Sequence, residues 1–276
     1  MKSKVFLVVA ALLSAAVAAF ALELAAERPL IMAHRGGFVE TEENTLEAYK
    51  FAIEHGVDII ECDPKRTKDG KWIIMHDETL DRTTVRSGRY DELTMAEYRD
   101  LRTKGGSPIP TLEEVLDLGK KHGVIVFLDL HIPPPDIDAF FKIVDEHGMT
   151  EMVIVNTWIK PFQRELKKVR PDILTCFPYP KPAITVKMAK KLKVDIVGTL
   201  PVFATSRMIR KSHKNGMAVV TMPINKKSKM LKFAEKNLDI LQTDDPRMTE
   251  EVFGSFGRAS LSNIKRLSMN PLSTLL

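Results

Sequence analysis

Glu61 and Asp63 stand two apart in the strand-like run Ile59-Ile60-Glu61-Cys62-Asp63, so both carboxylates leave the same face. Shortly after them, Asp69-Gly70 is a strong hairpin-turn signal that folds the segment ending in His76 back toward that face. Upstream, the apolar run Leu30–Ala33 ends in His34-Arg35-Gly36-Gly37. Carboxylates for a hard cation, two histidines and an arginine are the parts needed to cut a phosphodiester. Asp and Glu oxygens without cysteine suit Mg²⁺ or Ca²⁺ better than zinc, and such an ion offsets charge that builds on phosphate oxygens. Arg35 can grip phosphate through two N–H groups. His34 and His76 can share base and acid work, since imidazole titrates near neutral pH. Asp77 or Glu43 could orient one of them.

Those groups need a scaffold that gathers distant positions. Apolar, β-rich runs recur at Leu30–Ala33, Val57–Cys62, Val124–Leu130, Met152–Asn156, Asp172–Phe177, Val194–Gly198, Met217–Met222 and Asp239–Gln242, with Trp72–Met75 as a hairpin return. Helical segments alternate with them. Asn44 with Glu47, Thr94 with Glu97 and Thr111 with Glu114 have capping-box spacing. Gly56 fits a left-handed helix terminus, and Asp136 can cap the helix after a three-proline run. Eight β/α repeats predict a TIM (β/α)8 barrel in one domain over residues 28–253, with a hairpin added after the second strand. An open doubly wound sheet fits less well, because no G-x-G-x-x-G follows a strand.

In such a barrel, catalytic groups collect at the C-terminal ends of the strands. His34 and Arg35 end the first, Glu61 and Asp63 the second, and Asp129 and His131, which share a parity, the third. Thr243-Asp244 ends the last, beside the first. Taken singly, each residue has an ordinary structural reading. Placed together at neighbouring strand ends, they read as a site.

Composition narrows the setting. At 276 residues the chain can bury one large core. Lys2 and Lys4 precede an apolar run from Val5 to Phe20, which reads as a signal peptide over residues 1–21, cleaved after Ala21. The run is short for a membrane span, so the expectation is an exported protein, periplasmic or secreted, with no stable span after cleavage. The charge of +5 includes the leader lysines, and the remaining lysines lie on helical faces without interleaved aromatics, which argues against nucleic-acid binding. Cys62 and Cys176 are the only cysteines. Cys62 must point away from its acidic neighbours, so two buried free thiols are expected. Residues 254–276 read as a tail to which no chemistry is assigned. Composition leaves the oligomeric state open.

The chain resembles the glycerophosphodiester phosphodiesterase family. The matching segments are AHRGG (33–37), EENTLEAYKFAIEHGVDIIECD (42–63), TKDG (67–70), HDETLDRTT (76–84), PTLEEVL (110–116) and TDDP (243–246), in the family's order and spacing. The resemblance implies a TIM barrel with one divalent cation, Ca²⁺ or Mg²⁺, that hydrolyses small-molecule glycerophosphodiesters to sn-glycerol 3-phosphate and an alcohol. By position it makes His34 and His76 the acid/base pair, Arg35 a phosphate contact, and Glu61, Asp63 and Asp129 the metal ligands. It also implies attack by the neighbouring glycerol hydroxyl through a cyclic phosphodiester.

Three departures fall at the barrel mouth. Asp129 stands where the family usually has glutamate, His131 where it has lysine, and Met222-Pro223 where a Trp-Thr pair is common. With His131 and Met222 counted among the substrate-binding residues, the expectation is an altered substrate preference, and an alternative is a phosphodiesterase whose substrate is a lysophospholipid or an envelope polymer. His131 also brings a titratable cation whose grip on phosphate would weaken as pH rises. The competing reading is a catalytically weak relative that binds phosphodiesters or sugar phosphates.

Overall fold

The computed structural model describes residues 28–178 and 182–255. The leader assigned to residues 1–21 and most of the tail expected from residue 254 lie outside the described residues. Eight parallel strands close into a barrel: β1 (Leu30–Ala33), β2 (Ile59–Cys62), β5 (Ile125–Asp129), β6 (Val153–Asn156), β7 (Leu174–Pro178), β8 (Ile196–Thr199), β9 (Ala218–Thr221) and β10 (Ile240–Thr243). Closure joins the first strand to the last, with Leu30 beside Ile240 and Ala33 beside Thr243. The eight runs read from the sequence are these strands.

The apolar runs work because both faces of each strand are buried. Met32, Ile59, Phe127, Ile154, Ile196 and Val220 fill the barrel interior. Residues of the other parity, such as Ile31, Ile60, Val126, Val155, Val197 and Leu241, pack outward into the layer shared with the helices. Cys62 belongs to the outer layer and Cys176 to the inner one, so the two thiols are buried, free and on opposite sides of the barrel wall.

The helices begin where short polar side chains satisfy their first N–H groups. Thr94 and Thr111 form full capping boxes with Glu97 and Glu114 at the starts of α2 (Met95–Asp100) and α3 (Leu112–His122). Asp136 caps α4 (Ile137–Glu146) through the Ala139 N–H. At α1 (Leu46–Glu54) the cap is Thr45, not Asn44 as the spacing suggests. Asn44 instead takes a left-handed conformation, φ +56°, and sends its side chain into the barrel mouth. No helix among the described residues is long and apolar enough to cross a membrane.

The expected hairpin pairs β3 (Pro64–Arg66) with β4 (Trp72–Ile74) through a turn containing Gly70 at φ +82°. It opens a longer excursion, reaching Ile109, with an apolar core of its own around Ile73, Leu80, Tyr90 and Tyr98. The Met75 N–H donates to the Asp63 carbonyl at 2.9 Å, which returns the chain to the end of β2 just before His76.

Candidate active site and metal centre

Strand parity carries the polar groups into the mouth. Continuing the inward alternation of each strand past its apolar layer gives His34 on β1, Glu61 and Asp63 on β2, Asp129 and His131 on β5, and Asp244 on β10. Carboxylate oxygens of Glu61, Asp63 and Asp129 all lie within 4.8 Å of one another. Glu61 and Asp63 are 2% and 1% exposed, too deep for water to offset their charge. Burial, with the Asp63 and Asp129 charges, pushes the Glu61 carboxyl well above the usual range. For Asp63, burial is outweighed by hydrogen bonds from His131 and Asn44 and by the His76 and Arg35 charges, and the carboxyl is held below its ordinary value. An all-oxygen trio of this kind fits a hard divalent cation.

Each ligand is held from behind. The Asn44 amide donates to Asp63 at 2.8 Å, and the buried Tyr49 hydroxyl donates to Asn44 at 2.8 Å. The Arg35 N–H donates to Glu61 at 2.6 Å, and the Asn156 amide donates to Asp129 at 2.8 Å. Arg35 can present that N–H because the backbone turns sharply there, with φ +51° at Arg35, +83° at Gly36 and +80° at Gly37. A Cβ at Gly37 would lie 2.4 Å from the Pro246 ring, so the close approach of this turn to the helix Pro246–Phe253 demands glycine.

The two histidines share one arrangement. His34 Nδ1 lies 2.7 Å from Asp244, and His76 Nδ1 lies 2.8 Å from Asp77. An ionised aspartate on Nδ1 keeps the proton on that nitrogen and leaves Nε2 to act. Asp77 is therefore the orienting group for His76. Glu43 faces no histidine: it accepts from Arg35 at 3.0 Å and from Arg82 at 2.6 and 2.7 Å. Arg82 also donates to Asp77 at 2.6 and 2.9 Å, and this guanidinium above all keeps the Asp77 carboxyl far below its ordinary value. A chain of ion pairs thus runs His76–Asp77–Arg82–Glu43–Arg35.

His131 lies 3.4 Å from both Asp63 and Asp129. Asp129 first, then Asp63, raise it to about 10, against the cost of burial. Met222 follows β9 on the same rim, 45% exposed, two strands round from His34.

Four residues have supporting roles that the sequence did not assign. Asp244 shares the inward parity of Gln242, a signal that could have assigned it to His34. Asn225 holds Asp244 through its amide and accepts the Asp244 N–H at 2.9 Å, but it sits in a loop without periodicity. Arg82 lies likewise in an irregular stretch, and Asn44 was hidden by its helix-cap spacing.

Comparison with known proteins agrees with this architecture. The chain is 28% identical over 232 residues to the glycerophosphodiester phosphodiesterase of Caldanaerobacter subterraneus subsp. tengcongensis, an overlap of 79% of this chain and 95% of the relative. It is 30% identical over 180 residues to a Bacillus subtilis glycerophosphodiester phosphodiesterase, covering 55% and 60%. Among solved structures, an Oleispira antarctica phosphodiesterase in complex with the product sn-glycerol-3-phosphate superposes with a TM-score of 0.75 at 23% identity, over 83% of this chain and 98% of the other, a likeness of fold. The model of the glycerophosphoryl diester phosphodiesterase family matches residues 34–248, from the first candidate histidine into the helix Pro246–Phe253, and the chain belongs to that family.

Proposed function

We propose that the protein hydrolyses glycerophosphodiesters to sn-glycerol 3-phosphate and an alcohol, with a divalent cation, Ca²⁺ or Mg²⁺, held by Glu61, Asp63 and Asp129. The observation that carries this reading is the convergence of three carboxylates in a mouth that also holds two imidazoles, each with an aspartate on Nδ1. When bound, the cation would offset charge on the phosphate oxygens. Arg35 adds positive charge beside the same space, and His131 stands 3.4 Å from two of the three carboxylates. With both Nδ1 atoms engaged, Nε2 of His34 and of His76 can take a proton from the attacking hydroxyl and return one to the departing alcohol oxygen. Asp77 and Asp244 stabilise the imidazolium that forms in each half of that exchange. The fixed geometry of both rings favours this reading over a site that only binds phosphodiesters. Export with removal of residues 1–21 belongs to the same proposal, and the mature chain should begin at Leu22.

The test is release of glycerol 3-phosphate from glycerophosphocholine, with and without chelator, by the unmodified protein and by His34→Ala and His76→Ala. Turnover that needs added cation and disappears in both variants, with their folds intact, is the expected result. Binding without turnover of any glycerophosphodiester, with any of the candidate ions, would refute it.

A further inference from the structure

The barrel mouth is divided in two. On one side, β10, β1 and β2 carry Asp244, His34, Glu61 and Asp63. On the other, the loops after β9, β8, β6 and β5 expose Met222, Leu200 and Val202, Trp158 and Ile132 in that order round the rim, with β7 standing between β8 and β6. Val202 is 73% exposed and Trp158 64%. Leu200 and Met222 continue the inward parity of Ile196 and Val220, so they belong to the mouth rather than to the helical exterior. The arc also begins at the chemistry: the Trp158 ring centroid lies 6.4 Å from that of His131, which itself bridges Asp63 and Asp129.

Apolar side chains left in water on one side of a polar mouth offer a place for the apolar part of a ligand. A deacylated glycerophosphodiester is polar throughout and gives this arc nothing to cover. A glycerophosphodiester that keeps one acyl chain matches both halves at once, its diester against Arg35 and the carboxylates, its chain along the apolar side. The polar half argues for a single chain rather than a bilayer surface, because Arg82, Glu43 and Asp77 occupy the rim that a flat membrane would also have to meet. Phe38 and Val39, exposed after β1, are separated from the arc by β10 and its Asp244.

We infer that the substrates of this site include lysophospholipids, with the acyl chain lying on Ile132, Trp158, Leu200, Val202 and Met222. This rests on the phosphodiesterase reading above and names the substrate class for it. One water is consumed. The bond between phosphorus and the head-group oxygen breaks, a water oxygen takes its place, and the alcohol departs with one of the water's protons, leaving acylglycerol 3-phosphate.

The experiment compares glycerophosphocholine with lysophosphatidylcholines of increasing chain length, all below their micelle concentrations. A fully buried methylene is worth about fourfold, so a chain covered on one side should raise kcat/KM by about twofold per methylene, chiefly through KM. Val202→Ser and Ile132→Ser should each lower the ratio of acylated to deacylated turnover by about threefold. A flat or falling dependence on chain length, with glycerophosphocholine still hydrolysed, overturns the inference and leaves the phosphodiesterase reading in place.

A binding measurement separates the two in the other direction. Of the two tryptophans, Trp72 is buried and Trp158 exposed, so decanoyl-lysophosphatidic acid, a product that is not turned over, should blue-shift the Trp158 emission. Glycerol 3-phosphate should not, and Trp158→Phe should abolish the shift. The shift persisting without hydrolysis of any diester would sustain the acyl surface while refuting the phosphodiesterase reading. A shift caused by diacyl vesicles but not by the monoacyl product would show a membrane contact and overturn the inference.

Discussion

Replacing Asp77 by asparagine should slow turnover far more than the loss of one surface carboxylate suggests, because Arg82 leaves the amide no good orientation. Asp77 Oδ1 accepts from both His76 Nδ1 and an Arg82 N–H, and Oδ2 accepts from Arg82 Nε at 2.6 Å. An amide has one acceptor and one donor end. With its oxygen toward His76, the NH₂ group meets Arg82 Nε–H head on. With its oxygen toward Nε, the NH₂ group faces His76 Nδ1 and forces the proton onto Nε2, the nitrogen that must act. The first arrangement loses a charge-assisted hydrogen bond, worth about 1.5–3 kcal/mol, and the second gives the wrong tautomer. Either way the imidazolium also loses a stabilising charge.

The expected fall in kcat for Asp77→Asn is about 10²–10⁴-fold, the range of a general acid–base contribution, or roughly 3–5 kcal/mol. KM should move by less than about threefold, since both Asp77 oxygens are taken by His76 and Arg82. The decisive assay adds Arg82→Gln. If Arg82 is what misdirects the amide, the double variant is no slower than Asp77→Asn alone, because the amide oxygen is then free to accept the Nδ1 proton. Losses that simply multiply in the double variant would show that Arg82 and Asp77 act independently, and the relay from His76 to Arg35 would be wrong.

Three other perturbations probe separate parts of the structure. Glu61→Gln should weaken Ca²⁺ or Mg²⁺ binding about tenfold or more in a calorimetric titration, because one of three converging charges is gone; affinity within threefold of the unmodified protein would sink its place among the ligands. Gly37→Ala combines a left-handed φ with a Cβ 2.4 Å from Pro246 and should cost about 2–4 kcal/mol in urea unfolding, so an unshifted midpoint would refute the close-approach argument. His213 donates to Asp239 at 2.8 Å, and this bond first of all raises its pKa. Its stabilisation, of about 1 kcal/mol for a partly buried pair, is full below the ordinary histidine value near 6.5 and is lost as pH rises through the raised folded value. The stability gap to His213→Gln should therefore be wider at pH 6 than at pH 9, and the opposite trend would exclude the pair as its source.

How far the sequence could be read depended on how local each signal was. The strands were legible because burial on both faces leaves continuous apolar runs, and the capping boxes at Thr94 and Thr111 because both partners lie within one turn of helix. Glu61, Asp63, Asp129 and His131 were legible by parity alone. Asn44 misled because an N-cap and an inward hydrogen-bond donor call for the same side chain, and only the left-handed backbone at that residue decides between them. The excursion after the hairpin was underestimated since its core draws on irregular loops, where Leu80, Tyr90 and Tyr98 follow no period.

The two histidines explain why the barrel as a whole is needed for a site this small. His76 and Asp77 are chain neighbours, so their bond survives wherever the hairpin delivers them. His34 and Asp244 are 210 residues apart and meet only because β1 pairs with β10 in one register. A slip of one residue in that pairing would turn Asp244 outward, toward the helices, and bring Thr243 into the mouth in its place. The imidazole of His34 would then have no carboxylate on Nδ1. Closure of the barrel therefore sets the tautomer of one histidine, whereas a short hairpin suffices to present the other. Substitutions that loosen the β1–β10 seam should accordingly lower turnover before they lower stability.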